Sequence, residues 1–234
     1  PVAALNGSQK AVMLLNIEPD MDWAGSEAAK QALVQAQTVI ALMPFQSESL
    51  RELADVMLPV TPSTETSGSF VSMEGRLQSF HGVVKPYAQS RPMWKVLRVI
   101  GNELDLDGFD YTSSEEVLAR ACINSDSIVG KLNNQVQNVA STGLQAASGL
   151  VRVGGVGIYQ TDSVVRRSAP LQATVHAAIP AASVHPKTLA ALQLTDAAQV
   201  VVKSGAASVL VAVVADESVA ENVVSLPLHP QNKV

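Results

Sequence analysis

Residues 38–59 read TVIALMPFQSESLRELADVMLP: an apolar run, a proline, a polar stretch of helix formers, a second apolar run and another proline. TVIALM (38–43) and DVML (55–58) are short, continuous and rich in branched residues, which suits strands buried on both faces of a parallel sheet. QSESLRELA (46–54) between them predicts a short helix. Upstream, KAVMLLNIEP (10–19) is a third such run, closed by a polar turn and a proline. SEAAKQALVQAQ (26–37) predicts a helix, with Ser26 as N-cap and Ala28, Ala32, Leu33 and Ala36 on one face. Strand, helix, strand, helix and strand with short connections predict the end of a doubly wound parallel sheet.

Downstream the pattern changes. Residues 61–90 carry turn residues at short intervals, and SFVS and RLQSF flank Met73-Glu74-Gly75 as a hairpin in which Gly75 supplies a positive φ. RPMWKVLRVIGNEL (91–104) is a helix, with Pro92 in its first turn and an apolar stripe of Trp94, Leu97, Ile100 and Leu104. SSEEVLARACIN (113–124) opens with a serine cap and an acidic first turn, and 125–140 predicts a weaker helix. Residues 141–170, with STG, ASG and GGVG, read as a long surface connection. LQATVHAAI, AQVVVKS, SVLVAVVAD and NVVSLPL then predict strands around one helix, HPKTLAALQL (185–194), with a turn near Ser204-Gly205. That spacing suits a small closed barrel. The expected division is a partial α/β domain over 1–90, a helical and loop connection over 91–170 and a β-barrel over 171–234.

The 234 residues are 47% hydrophobic and 16% charged, enough for one large domain or two smaller ones. A net charge of −5 excludes a basic footprint for nucleic acid or an acidic membrane surface. No apolar run approaches the roughly 20 residues of a membrane span, and PVAALNGSQK does not read as a signal peptide. The single cysteine, Cys122, excludes an internal disulfide and any all-cysteine cluster built from this segment. It reads as a buried, inert thiol on its helix. His81, His176, His185 and His229 are too dispersed for a metal motif. The chain opens at Pro1, in the middle of its pattern, and is expected to be a piece of a longer polypeptide.

Glu65, Glu74 and Arg76 could surround an anion or a transferring proton, but with no nucleophile or metal set beside them the plainer reading is Arg76 pairing a carboxylate to pin an irregular loop. His81 could act as a base, yet a lone histidine after an aromatic is more often a packing or surface residue. Gly154-Gly155-Val156-Gly157 lacks the helix a dinucleotide fingerprint needs and reads as flexible linker. Arg166-Arg167 reads as a solvated pair rather than a phosphate site.

The order of these motifs resembles a known superfamily. ADVMLPVTPSTETSGSFVSMEGRLQSF (54–80) is similar to the ADVVLP…EGR.Q signature of molybdopterin oxidoreductases, and VHPKTLAALQL followed by AQVVVKS resembles their C-terminal double-psi barrel. Residues 72–104, GFDYTSSEEV (108–117) and GIYQTDSVVRRSAPLQAT (157–174) resemble more specifically the family of the large iron–sulfur subunit of bacterial respiratory complex I, the NADH-quinone oxidoreductase.

This resemblance implies a cofactor-free structural region of a proton-pumping NADH:quinone oxidoreductase subunit, with iron–sulfur clusters carried in the full-length subunit outside this segment. The implied partners are other peripheral-arm subunits, and the implied location is cytoplasmic, peripheral on the inner membrane. Degenerate pterin-site positions are Glu18, Glu74, Gly75, Arg76 and His185. The family's G-x-N-P is here Asn16-Ile17-Glu18-Pro19, and its Gly-Asp after the barrel helix is Ala197-Ala198. Both departures argue against a bound pterin. Glu74-Gly75-Arg76 is then a hairpin corner retained for folding. The alternatives are a fragment of a true molybdopterin enzyme binding the guanine dinucleotide, or a stand-alone binding module.

Overall fold

The structure is a computed structural model that describes residues 5, 9–23, 26–121, 128–133, 135, 149–196, 198–205 and 207–229. The expectations for Cys122, Ala197 and most of 125–140 lie outside those residues. Two compact units form, Pro1–Val139 and Ala140–Val234. Among the described residues no helix is long and apolar enough to cross a membrane.

In the first unit β1 (Ala11–Leu15), β2 (Thr38–Met43) and β3 (Val56–Pro59) form a parallel sheet in the order β1-β2-β3. A four-residue helix, α1 (Pro19–Asp22), follows β1 directly. The register sets Val12 beside Val39 and Leu14 beside Ala41, so these side chains share a face. That face packs with Leu33 of α2 (Ser26–Val34) and Leu50 of α3 (Glu48–Leu53) in one core cluster. Burying a leucine fully contributes roughly 1.5–3 kcal/mol, so Leu33 and Leu50 anchor the two crossover helices. Burial on both faces holds for β2 but not for β1, where Met13 and Leu15 are each 38% exposed. β1 is an edge of this sheet, and its burial alternates.

The expected hairpin is present: β4 (Gly68–Val71) pairs antiparallel with β5 (Leu77–Phe80), and Phe70 stacks on Phe80 at 5.3 Å between ring centroids. α4 (Met93–Glu103) begins after Pro92, and its Gly101 lies against the Phe109 ring so closely that a methyl group would overlap it. α5 (Ser114–Arg120) is capped by Ser113, whose hydroxyl accepts from the Glu116 amide at 3.2 Å.

The strands of the second unit are β6 (Val151–Val153), β7 (Ala182–Val184), β8 (Gln199–Ser204), β9 (Ala207–Ala215) and β10 (Val223–Ser225). They form a curled, five-stranded half-barrel sheet in the order β6-β10-β7-β9-β8. Ser204 pairs with Ala207 across the expected turn, where Gly205 takes φ 57°. Val184, Val211, Val213, Val224 and Leu226 enclose the core.

Three expectations are corrected here. LQATVHAAI is not a strand: α6 (Ala169–Gln172) and a 3-10 turn over Val175–Ala177 occupy it. Pro170 starts the helix, and side chains rather than a ladder fix the segment. Gln160, 3% exposed, donates to the Gln172 amide oxygen at 2.9 Å. Gln172 donates in turn to the carbonyls of Tyr159 and Val165 at 3.1 and 2.9 Å. Nor is GGVG a linker. β6 runs parallel to β10, the Leu226 amide donates to Val153 at 2.8 Å and the Leu228 amide to Gly155 at 2.9 Å. Gly154 is a glycine because Leu226 leaves no room for a side chain. The expected barrel helix is shorter than its sequence pattern: α7 (Pro186–Ala191) follows β7 and adds Leu189 to the core.

Candidate functional site

In open α/β sheets ligands meet the carboxyl ends of the strands, where helix N-termini offer amides to phosphates. Here β1 is followed by Asn16, which takes φ 52° and donates its amide to the Leu42 carbonyl at 3.0 Å. Glu18 follows as the N-cap of α1 and is only 3% exposed. Its amide donates to the Asp22 carboxylate at 2.7 Å, and its carbonyl accepts from the Met21 and Asp22 amides. Asp20 accepts from the Ser49 hydroxyl at 2.7 Å. The start of α1 is thus guarded by the chain's own acids. A nucleotide phosphate there would meet one buried carboxylate and an amide already spent on another, so these residues do not suit a dinucleotide's phosphates.

The hairpin corner runs over 72–76, between β4 and β5. Gly75 takes φ 79°, its amide donates to the Ser72 carbonyl at 2.9 Å, and the Ser72 amide donates to the Arg76 carbonyl at 2.9 Å. Ile128 and Leu132 press on Gly75, closing the space a side chain would need. The expected ion pair is absent: among the described residues no carboxylate pairs with Arg76, which follows an exposed Glu74. The corner holds its shape through backbone bonds and the Gly75 contact. Glu65 is pinned elsewhere, accepting from the Tyr87 amide at 2.9 Å. His81 is exposed, with Nδ1 3.5 Å from the Ser67 hydroxyl. The structure therefore does not gather Glu65, Glu74, Arg76 and His81 into one constellation.

In the second unit His185 caps α7, its Nδ1 accepting from the Lys187 amide at 3.1 Å. Lys187 pairs with Glu221 at 2.7 Å, an exposed contact that holds the Glu221 carboxyl below its usual range and raises the lysine. Buried Thr188 accepts from the Asn222 amide at 2.9 Å. His185 thus stands in a helix-capping arrangement. Arg166 and Arg167 donate to the Gln160 and Ser163 carbonyls, each at 3.0 Å, so neither is the purely solvated side chain expected. Among the described residues no group of three histidines, cysteines or carboxylates could hold a metal ion.

Reading the sequence for acids and glycines missed the cations around α4. Arg91, Lys95 and Arg98 line a hollow of about 580 Å³, and the first two also line an adjoining cleft of about 820 Å³. Their spacing of four and three residues was the available signal; attention to the helix's apolar stripe passed over it.

Residues 2–103 match the family model for molybdopterin oxidoreductase, and residues 150–233 match that for the molydopterin dinucleotide binding domain. A Staphylococcus aureus protein named as a putative formate dehydrogenase is 38% identical over 65 residues, 28% of this chain and 6% of that protein. The NADPH-Fe(3+) oxidoreductase subunit alpha of Geobacter sulfurreducens is 31% identical over 98 residues, 42% of this chain and 12% of the relative. Acetylene hydratase from Pelobacter acetylenicus shares the fold with a TM-score of 0.66 at 16% identity, over 97% of this chain and 38% of that one. In each comparison the match takes in well under half of the other protein's length.

Proposed function

We propose, from the matches to the molybdopterin oxidoreductase model over residues 2–103 and to the dinucleotide-binding model over residues 150–233, that this chain is a structural region of a larger oxidoreductase which itself holds no pterin. The parent on this reading is the large iron–sulfur subunit of an NADH:quinone oxidoreductase. Electrons then pass through clusters held elsewhere in that subunit, and this region meets neighbouring peripheral-arm subunits on the cytoplasmic side of the inner membrane. The observation that carries the reading is the acid-guarded start of α1, with Glu18 buried and its amide bonded to Asp22. A fold inherited from a dinucleotide binder keeps its layers while its phosphate-facing loop is filled by carboxylates. The three stretches that resemble the complex I subunit support the choice of parent.

The second reading is a true molybdopterin enzyme, favoured by the identity to a protein named as a formate dehydrogenase. Metal and pterin analysis of the full-length protein separates the two. Iron without molybdenum or tungsten is the expected result, and either metal at one per chain together with extractable pterin would overturn the proposal.

A further inference from the structure

Helix α4 has a polar face with no counterpart in the dinucleotide-binding reading. Arg91 just before the helix, then Lys95 and Arg98 within it, follow at intervals that bring side chains together along one side. All three line the hollow of about 580 Å³, whose other walls include Leu58, Val96, Val99 and Ile100, and among the described residues no carboxylate lines it. Arg91 and Lys95 also border the cleft of about 820 Å³, together with Lys85, Trp94 and Val84. The two hollows share Arg91 and Lys95, which border both, and together they are the candidate groove.

Among the described residues these cations are not neutralised. Arg91 donates to the Ser90 carbonyl and Arg98 to the Tyr111 carbonyl, both at 2.9 Å, while the Lys95 amine lies 5.2 Å from the centre of the neighbouring Trp94 ring. None of the three pairs with a described carboxylate. Arg98 Nε is buried with no acceptor, a state that costs stability. Two acids border the larger cleft but not the smaller hollow: Glu65 accepts from the Tyr87 amide, and Glu115 accepts from its own backbone amide and the Ser113 and Ser114 hydroxyls, which hold its carboxyl below the usual range and keep it ionised. Lys95 and Arg98, three residues apart on the helix, are like charges on neighbouring positions and repel one another. A protein of net charge −5 thus gathers three cations around the smaller hollow with no described carboxylate on its walls.

We propose that this groove docks an extended acidic segment of a partner polypeptide, its carboxylates meeting Arg91, Lys95 and Arg98 and its apolar side chains packing on Leu58, Val96 and Val99. Three cations set beside apolar side chains on the same walls favour a polypeptide over a small anion. Val99, 48% exposed, and Val84, 56% exposed, offer the apolar surface that carboxylates alone would not need. The proposal rests on the scaffold reading above only in supposing a polypeptide partner. The two fail separately: stoichiometric molybdenum would overturn that reading and leave peptide binding unaffected.

The test uses the full chain and a fluorescein-labelled peptide of alternating Glu and Leu, followed by fluorescence anisotropy. Saturable binding is expected, weakened by added salt and weakened about tenfold or more in the R91E/K95E variant. V99D, which places a carboxylate inside the groove, should weaken binding comparably and serves if the double variant fails to fold. Equal binding of a Lys-Leu control peptide, or affinity unchanged in the variants, overturns the proposal. So does complete displacement by inorganic phosphate, which would assign the groove to a small anion. A dimer of the chain abolished by the same substitutions would assign it to a second copy and overturn the proposal as well.

Discussion

Gly154→Ala and Gly155→Ala are adjacent substitutions with opposite expected outcomes. A Cβ at 154 would overlap the Leu226 carbonyl oxygen and lie 2.6 Å from its carbon, both backbone atoms that cannot swing aside. Relieving that overlap needs a separation of roughly 1 Å, given ordinary contact distances. The Leu226 carbonyl also accepts from the Arg152 guanidinium at 2.8 Å, and the Leu226 amide donates to Val153 at 2.8 Å. Weakening a charged bond worth about 1.5–3 kcal/mol and a backbone bond worth about 0.5–1.5 kcal/mol sets the expected loss at about 2–4 kcal/mol. A Cβ at 155 meets nothing within 4 Å. There alanine restricts only the unfolded chain, and a gain of about 0.4–1 kcal/mol is expected. Calorimetry with far-UV circular dichroism reads the difference, since 1 kcal/mol moves the midpoint of a unit this size by about 4–8 °C. If both variants shifted together by less than about 0.5 kcal/mol, a range ordinary for surface sites, the close approach of β6 to the β10 extension would be refuted and the glycines would be slack after all.

Gly75→Ala should cost about 2 kcal/mol, from the positive φ and contacts of 2.7 and 2.9 Å with the tips of Leu132 and Ile128, whereas Arg76→Ala should stay within about 0.5 kcal/mol. Urea midpoints rank the pair, and the opposite order would restore Arg76 as the pin of the loop. Burial pulls His229 below its ordinary 6.5 despite its bond to the Ala177 backbone. The folded chain therefore prefers the neutral ring, and this contribution is present above 6.5 and lost as pH falls through the lower folded value. Thermal melts across the histidine range should show that decline and its flattening in His229→Gln; an identical profile in the variant would refute the assignment. Ser47→Ala removes the acceptor of the Leu50 amide at 3.3 Å and should cost about 1 kcal/mol, measured by urea unfolding. Ser47→Asp, which can still cap, should recover most of it.

The strands around residues 10–59 and 199–215 were legible because unbroken apolar runs bounded by proline or glycine have few other uses. The hairpin corner was legible because Gly75 demands a conformation other residues avoid. What escaped was long-range. LQATVHAAI carries an alternation that suits a strand, and only the meeting of Gln160 with Gln172 makes it a pair of short turns. Gly154 resembles slack in sequence because the carbonyl that forbids a side chain there belongs to Leu226, far along the chain. Arg76 invited a carboxylate on composition alone, but pairing is a matter of direction, and Glu65 was engaged by Tyr87. At the candidate pterin positions, the carboxylate of Glu18 in place of the family's asparagine was visible in the sequence. Its burial and its amide bond to Asp22 were not.

The paired glutamines have one more consequence. A β-ladder counts residues, so adding one turns every following side chain to the opposite face. Between Tyr159 and Gln172 no ladder does that counting; two amide side chains tie the 3-10 turns Ile158–Gln160 and Val165–Arg167 to α6, and their reach can absorb a change of spacing. One residue inserted in the exposed turn at Thr161-Asp162 should leave the half-barrel intact, whereas the same insertion within β9 should unfold it. In this unit the length of the connecting path is free to drift while the length of each strand is held.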